Sequence, residues 1–162
     1  MSNIAEIAEK DETGMDMNQM TIKLQEALQT ASSHAMRRGH QGMDVEHLLL
    51  AFLEQEGGIV PALLESAGIT LSSARQAAEQ ALAKLPQVQG AGGGPGQLHL
   101  TPRLNQVLTK AEDEERALKD EFLSVGHVLL AMVQEGGIFK KLGHSKDKLL
   151  GALQHVRGHQ RV

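Results

Sequence analysis

From Thr21 onwards, apolar residues recur every three or four positions, and glycine or proline interrupts the period at regular places. Leu24, Leu28, Ala31 and Ala35 make the first stripe, with Thr21 before it as an N-cap and Gly39 after it as a stop. Asp44 caps a second segment, whose apolar run from Leu48 gives out at Gly57-Gly58. Pro61 suits the first turn of a short third helix that carries Leu63, Leu64 and Ala67 and closes at Gly68. A fourth starts between Thr70 and Ser72, carries Ala74, Ala78, Leu82 and Leu85, and stops at Pro86. No stretch sustains the strand period of two, so the pattern predicts an all-α fold.

The pattern then repeats. A shift of about 80 positions lays Thr21 on Thr101, Leu24 on Leu104, Leu28 on Leu108 and Ala31 on Ala111. It also lays Val45 on Val125, His47 on His127 and Leu49-Leu50-Ala51 on Leu129-Leu130-Ala131. After one deletion, Glu56-Gly57-Gly58-Ile59 falls on Glu135-Gly136-Gly137-Ile138. This is an internal duplication. In the second copy Thr101-Pro102 opens the first helix, with Leu104, Val107, Leu108, Ala111 and Leu118 behind it. Ser124 caps the second, Ile138 to Gly143 is the short third, and Ser145 opens the fourth, with Leu149, Leu150, Leu153 and Val156 inward. The expectation is eight helices as two pseudo-symmetric four-helix repeats, residues 20–86 and 101–157, packed face to face. Between them the glycine-rich stretch around Gly90 to Gly96, within residues 87–100, reads as a flexible joint.

Charge sets the first 19 residues apart. Up to Met20 there are five acidic residues and one Lys, a balance of −4, which equals that of the whole chain. The remaining 15 acidic and 15 basic residues cancel. Such an acidic, weakly apolar leader is expected to be disordered. With three aromatics (Phe52, Phe122 and Phe139) and no Trp or Tyr, Leu, Ala, Ile, Val and Met must fill the core. Without aromatic platforms or a basic stripe the chain is not expected to bind nucleic acid. The absence of Cys excludes disulfides, thiolate metal sites and cysteine nucleophiles, and fits a reducing compartment. The longest purely apolar run, Leu48 to Leu53, is too short for a membrane span, and no signal-peptide pattern opens the chain. A cytoplasmic protein is expected.

Catalytic patterns are missing. Gly96 is followed by Gln97-Leu98-His99, not by the Lys-Ser/Thr pair of a phosphate loop, and Pro95 breaks dinucleotide spacing. The eight histidines include no His-Glu-x-x-His pair. His47 and His127 each stand three residues after a proposed cap, where an imidazole can bond back toward the cap. Ser32-Ser33-His34 lies within a helix, and Glu112 to Glu115 reads as a solvated face. No metal site, bound cofactor or catalytic constellation is expected.

The segments Thr21-x-Lys-Leu-Gln-Glu-Ala-Leu, Arg37-Arg38-Gly39-His40, Asp44-Val45-Glu46-His47-Leu48-Leu49-Leu50-Ala51 and Gln55-Glu56-Gly57-Gly58 resemble the Clp amino-terminal domain. Within that family they are most similar to the ClpB type of AAA+ disaggregase. The joint beginning Leu85-Pro86-Gln87-Val88-Gln89-Gly90 and the closing Val156-Arg157-Gly158-His159-Gln160-Arg161-Val162 are similar too. The resemblance covers residues 20–162. It implies an all-helical domain that precedes two ATPase modules, which would hold ATP and Mg, and a middle region that engages an Hsp70-type chaperone. Residues 158–162 would begin the linker to those modules, so the chain is expected to be a piece of a longer protein. The parent would form a homohexamer through the ATPase modules, and this piece alone would be monomeric.

The resemblance also implies a role: binding exposed apolar segments of unfolded or aggregated proteins and passing them on, with no catalysis by this chain itself. Thr21 matches a family threonine linked to client handling, and Asp120 an acidic residue also linked to function. Gly126 stands where the family often has Glu. Leu28, Val107, Leu108 and Ala111 are candidates to line an apolar groove between the first helices of the two copies. Two alternatives stay open. One is a docking module for folded adaptors, as in ClpA- and ClpC-like unfoldases that serve a protease; the other is a small enzyme with an unfamiliar site.

Overall fold

The Thr21 hydroxyl accepts the N–H of Leu24 at 3.2 Å, and α1 runs from there over Ile22–Arg37. In the computed structural model, which describes residues 17–86, 99–141 and 146–157, three more helices complete the first copy. They are α2 (Val45–Glu54), α3 (Val60–Ser66) and α4 (Leu71–Ala83). The second copy repeats the order with α5 (Pro102–Ala117), α6 (Val125–Glu135), α7 (Gly137–Lys141) and α8 (Lys146–Arg157). Caps and stops fall where local chemistry demands. Thr70 accepts from Ser73 N–H, Thr101 accepts from Leu104 N–H, and Gly39, Gly57, Gly68 and Gly136 take positive φ. The acidic leader up to residue 16, the joint over 87–98, Ser145 as a cap and the linker 158–162 lie outside the described residues, as does the side chain of Val156.

Packing interlocks the copies. Within each copy the first helix packs on the second (α1 on α2, α5 on α6), and the second on the fourth (α2 on α4, α6 on α8). Across the copies the third helix of each meets the fourth of the other, α3 on α8 and α4 on α7. The halves are therefore not two lobes laid face to face: they share one continuous core, built around Leu48–Leu53 of α2 and Val128–Val133 of α6. Those runs are apolar on all sides because both helices are enclosed on all sides.

Short extended segments, which the helical pattern does not predict, tie the copies together. β1 (Gly42–Met43) and β2 (His99–Leu100) pair in parallel, Gly42 with His99 and Met43 with Leu100. The equivalent pairing in the other direction is a bridge between Met20 and Leu123. Thr21 N–H donates to Leu123 C=O at 2.9 Å, and Thr101 N–H donates to Met43 C=O at 3.1 Å. A two-residue strand has no alternation to detect, so its signal lies only in the tertiary pairing.

One backbone position departs from the repeat. α1 closes with Gly39 at φ 74°, its successor His40 N–H donating to Ala35 C=O at 3.0 Å. α5 closes the same way, with Asp120 N–H on Glu115 C=O at 3.0 Å, yet the left-handed residue there is Lys119 at φ 59°. A Cβ in that region costs about 1 kcal/mol. Lys119→Gly is therefore expected to stabilise the domain by about that amount, read as a higher midpoint in thermal or urea unfolding; an unchanged or lower midpoint would contradict it.

Candidate functional site

The surface that follows from this fold is best seen by comparing equivalent positions, 80 residues apart, at the two crosswise pairings. Around β1–β2 an ion network spans the copies. Arg103 reaches from α5 to Glu46 on α2, donating to both carboxylate oxygens at 2.8 Å, and to Glu135 at 2.8 and 3.2 Å. Asp44 lies 3.6 Å from the same guanidinium and accepts the Thr101 hydroxyl at 2.9 Å. Burial opposes the Arg103 charge, but the hydrogen bonds to Glu135 and Glu46 outweigh it and hold the proton more firmly than usual. Gly137 sits at φ 48°, and a Cβ there would come within 2.5 Å of Arg103 Nη2. Gly42 is equally confined, since its Cβ would lie 2.9 Å from Thr101 Cγ2.

Around the Met20–Leu123 bridge the equivalents differ. Lys23 replaces Arg103 and donates to Glu56 C=O at 2.8 Å. Gly126 replaces Glu46, and its Cα packs so that a Cβ would meet Leu153 Cδ1 at 3.0 Å and Ile59 Cδ1 at 3.5 Å. Ile22 replaces Pro102 and Phe122 replaces Gly42. Their side chains stand out into solvent, 72% and 42% exposed, on either side of the paired segments. Glu121, next to Phe122 in the chain, and Lys119, three positions before it, are exposed as well.

Beneath each pairing sits a histidine at the third position of the second helix. His47 Nδ1 accepts Asp44 N–H at 2.8 Å and its Nε2 lies 2.8 Å from His40 Nδ1. His127 Nδ1 accepts Ser124 N–H at 2.9 Å and its Nε2 lies 2.7 Å from Asp120 Oδ2. Since Nδ1 is the acceptor in both, the ring proton is on Nε2, which donates to His40 or to Asp120. Burial, then the adjacent His40, pushes the His47 pKa down to about 4. Burial and Arg38 lower His40 as well.

The residues expected from the sequence separate into three groups. Thr21 is partly exposed, caps α1 and adjoins Leu123. Asp120 lies in the loop before α6, but its side chain is fully buried against His127. Leu28, Val107, Leu108 and Ala111 are buried core residues and do not line a surface groove; helical spacing identifies an inward face without saying that another helix covers it. Ile22 and Phe122 were missed. Their signal was available: Ile22 lies off the Leu24–Leu28 stripe, and Phe122 is a lone aromatic among polar loop residues. Among the described residues no group of three or more His, Asp or Glu is placed to hold a metal.

The family description Clp repeat (R) N-terminal domain matches residues 19–145. The chain belongs to this family. It is 44% identical over 154 residues to the chaperone protein ClpB of Nitratidesulfovibrio vulgaris, an alignment that takes in 91% of this chain and 18% of that protein. The chain thus spans under a fifth of that relative's length. The Hsp104 N-terminal domain from Candida albicans has the same fold, with a TM-score of 0.73 at 24% identity over 88% of this chain and 93% of that one. A ClpV N-domain solved in complex with a VipB peptide matches at a TM-score of 0.61 and 22% identity, over 73% of this chain and 69% of that one.

Two expectations follow from the charged groups. Removing Arg103 leaves Glu46 and Glu135 uncompensated and mostly buried, so Arg103→Ala is expected to cost about 3 kcal/mol in urea unfolding; a loss under about 1 kcal/mol would show the network to be dispensable. For His47 the folded pKa is lowered from 6.5 to about 4, so between those values the unfolded chain binds more protons. Its contribution to stability is complete above pH 6.5 and drains away as the pH falls to 4. His47→Gln, which keeps an acceptor for Asp44 N–H, is expected to flatten the stability profile in that window; parallel profiles for the two proteins would argue against it.

Proposed function

We propose that this domain is the client-binding amino-terminal domain of a ClpB-like, ATP-dependent disaggregase and recognises exposed apolar segments of unfolded or aggregated proteins. The observation that carries the reading is the exposure of Ile22 and Phe122, each next in the chain to one end of the Thr21–Leu123 hydrogen bond, in a chain 44% identical over 154 residues to a ClpB relative. Two large exposed apolar side chains suit weak capture of extended chain, because burying part of each on contact is worth about 1–2 kcal/mol per residue. Such capture fits handing a client on better than holding it. In this reading the chain performs no catalysis. ATP, Mg, the homohexamer and engagement of an Hsp70-type chaperone belong to the modules of the parent, in the cytoplasm. Among the described residues no helix is long and apolar enough to cross a membrane.

A second reading is docking of an adaptor, as in ClpA- and ClpC-like unfoldases; a ClpV N-domain of the same fold takes a peptide of another protein, VipB. One titration separates them. Reduced, carboxymethylated α-lactalbumin, a permanently unfolded chain, is expected to bind in fluorescence anisotropy, with at least tenfold weaker binding by the native disulfide-bonded form. Equal affinity for both forms, or for neither, would overturn the client reading.

A further inference from the structure

We infer that Phe122 is the residue that touches the client and that Asp120 is a positioning residue, acting through His127. The inference rests on the client reading and deepens it. The carboxylate of Asp120 is wholly buried, so it offers a client nothing directly. Its Oδ2 accepts the Nε2–H of His127 at 2.7 Å, and the other nitrogen of the same ring accepts Ser124 N–H at 2.9 Å. One imidazole thereby clamps both ends of the five-residue loop Asp120 to Ser124, and Phe122 is the middle residue of that loop.

The clamp also fixes where the loop lies. Leu123 N–H donates to Gln19 C=O at 2.8 Å and Leu123 C=O accepts Thr21 N–H, so the loop is held against the start of α1. Leu123 is buried while Phe122, the residue before it, is exposed, as is Ile22, the residue after Thr21. The first copy supplies an internal control. His47 clamps the equivalent loop in the same manner, with His40 in place of Asp120, yet the middle residue is Gly42 and Thr101 crowds it. The clamp is thus the duplicated scaffold, and the aromatic on it belongs to one copy alone. What the clamp needs at position 120 is an acceptor for Nε2–H, and a negative charge is not required.

The full chain, titrated with reduced, carboxymethylated α-lactalbumin, distinguishes the roles. Phe122→Ser, at an exposed position, is expected to weaken binding at least tenfold with an unchanged thermal midpoint. Asp120→Asn keeps an acceptor for His127 and is expected to bind within twofold of the original chain. Asp120→Ala removes it and is expected to weaken binding at least fivefold, and His127→Ala, which removes the ring, to do the same, the double variant being no worse than either. If Asp120→Asn loses binding as fully as Asp120→Ala, or Phe122→Ser retains it, the inference is overturned while the client reading stands. If the original chain binds neither form of the probe, both fall.

Discussion

Two backbone hydrogen bonds, Thr21 N–H to Leu123 C=O and Thr101 N–H to Met43 C=O, hold each copy of the repeat by the start of its first helix to the loop before the other's second helix. Everything else in the fold is compatible with that crossing. The third and fourth helices cross as well, α3 to α8 and α7 to α4, while each first helix stays packed on the second helix of its own copy. Neither copy then completes its core alone, since the third and fourth helices of each are covered by those of the other. The duplication is therefore a single cooperative unit, with its most enclosed helices, α2 and α6, at the centre.

The same symmetry makes the departures from it informative. At the β1–β2 side, Arg103, Glu46, Glu135 and Asp44 form an ion network. At the other side a lysine on a backbone carbonyl and a glycine packed against Leu153 and Ile59 take the place of that network. The charge is replaced by packing, and Ile22 and Phe122 are left outside. Both sides tie the copies together through backbone hydrogen bonds, but large exposed apolar side chains flank only the Thr21–Leu123 side.

Gly126 belongs to this asymmetry. A glutamate there would need the ends of the Leu153 and Ile59 side chains to give way to its stem. Asp120 shows the converse. An acidic residue in a loop reads as surface, yet a histidine seven positions later takes it inside. The buried state of Leu28, Val107, Leu108 and Ala111 has the same origin: a stripe at helical spacing tells which way a side chain faces, while exposure depends on the helix that packs over it.

The helix order, the caps at Thr21, Asp44 and Thr101 and the glycine stops were legible in the chain because each follows from interactions within four residues, and the duplication because its two copies keep the same residue types at one offset. So was the bond from His47 and His127 back to their caps. The second partner of each ring could not be read that way, nor the crossing of the copies, since these depend on which loops are brought together. Arg103 and Glu46 are 57 positions apart. Local rules settle where helices begin and end; only the assembled core decides which of two equivalent residues is enclosed and which is left facing water.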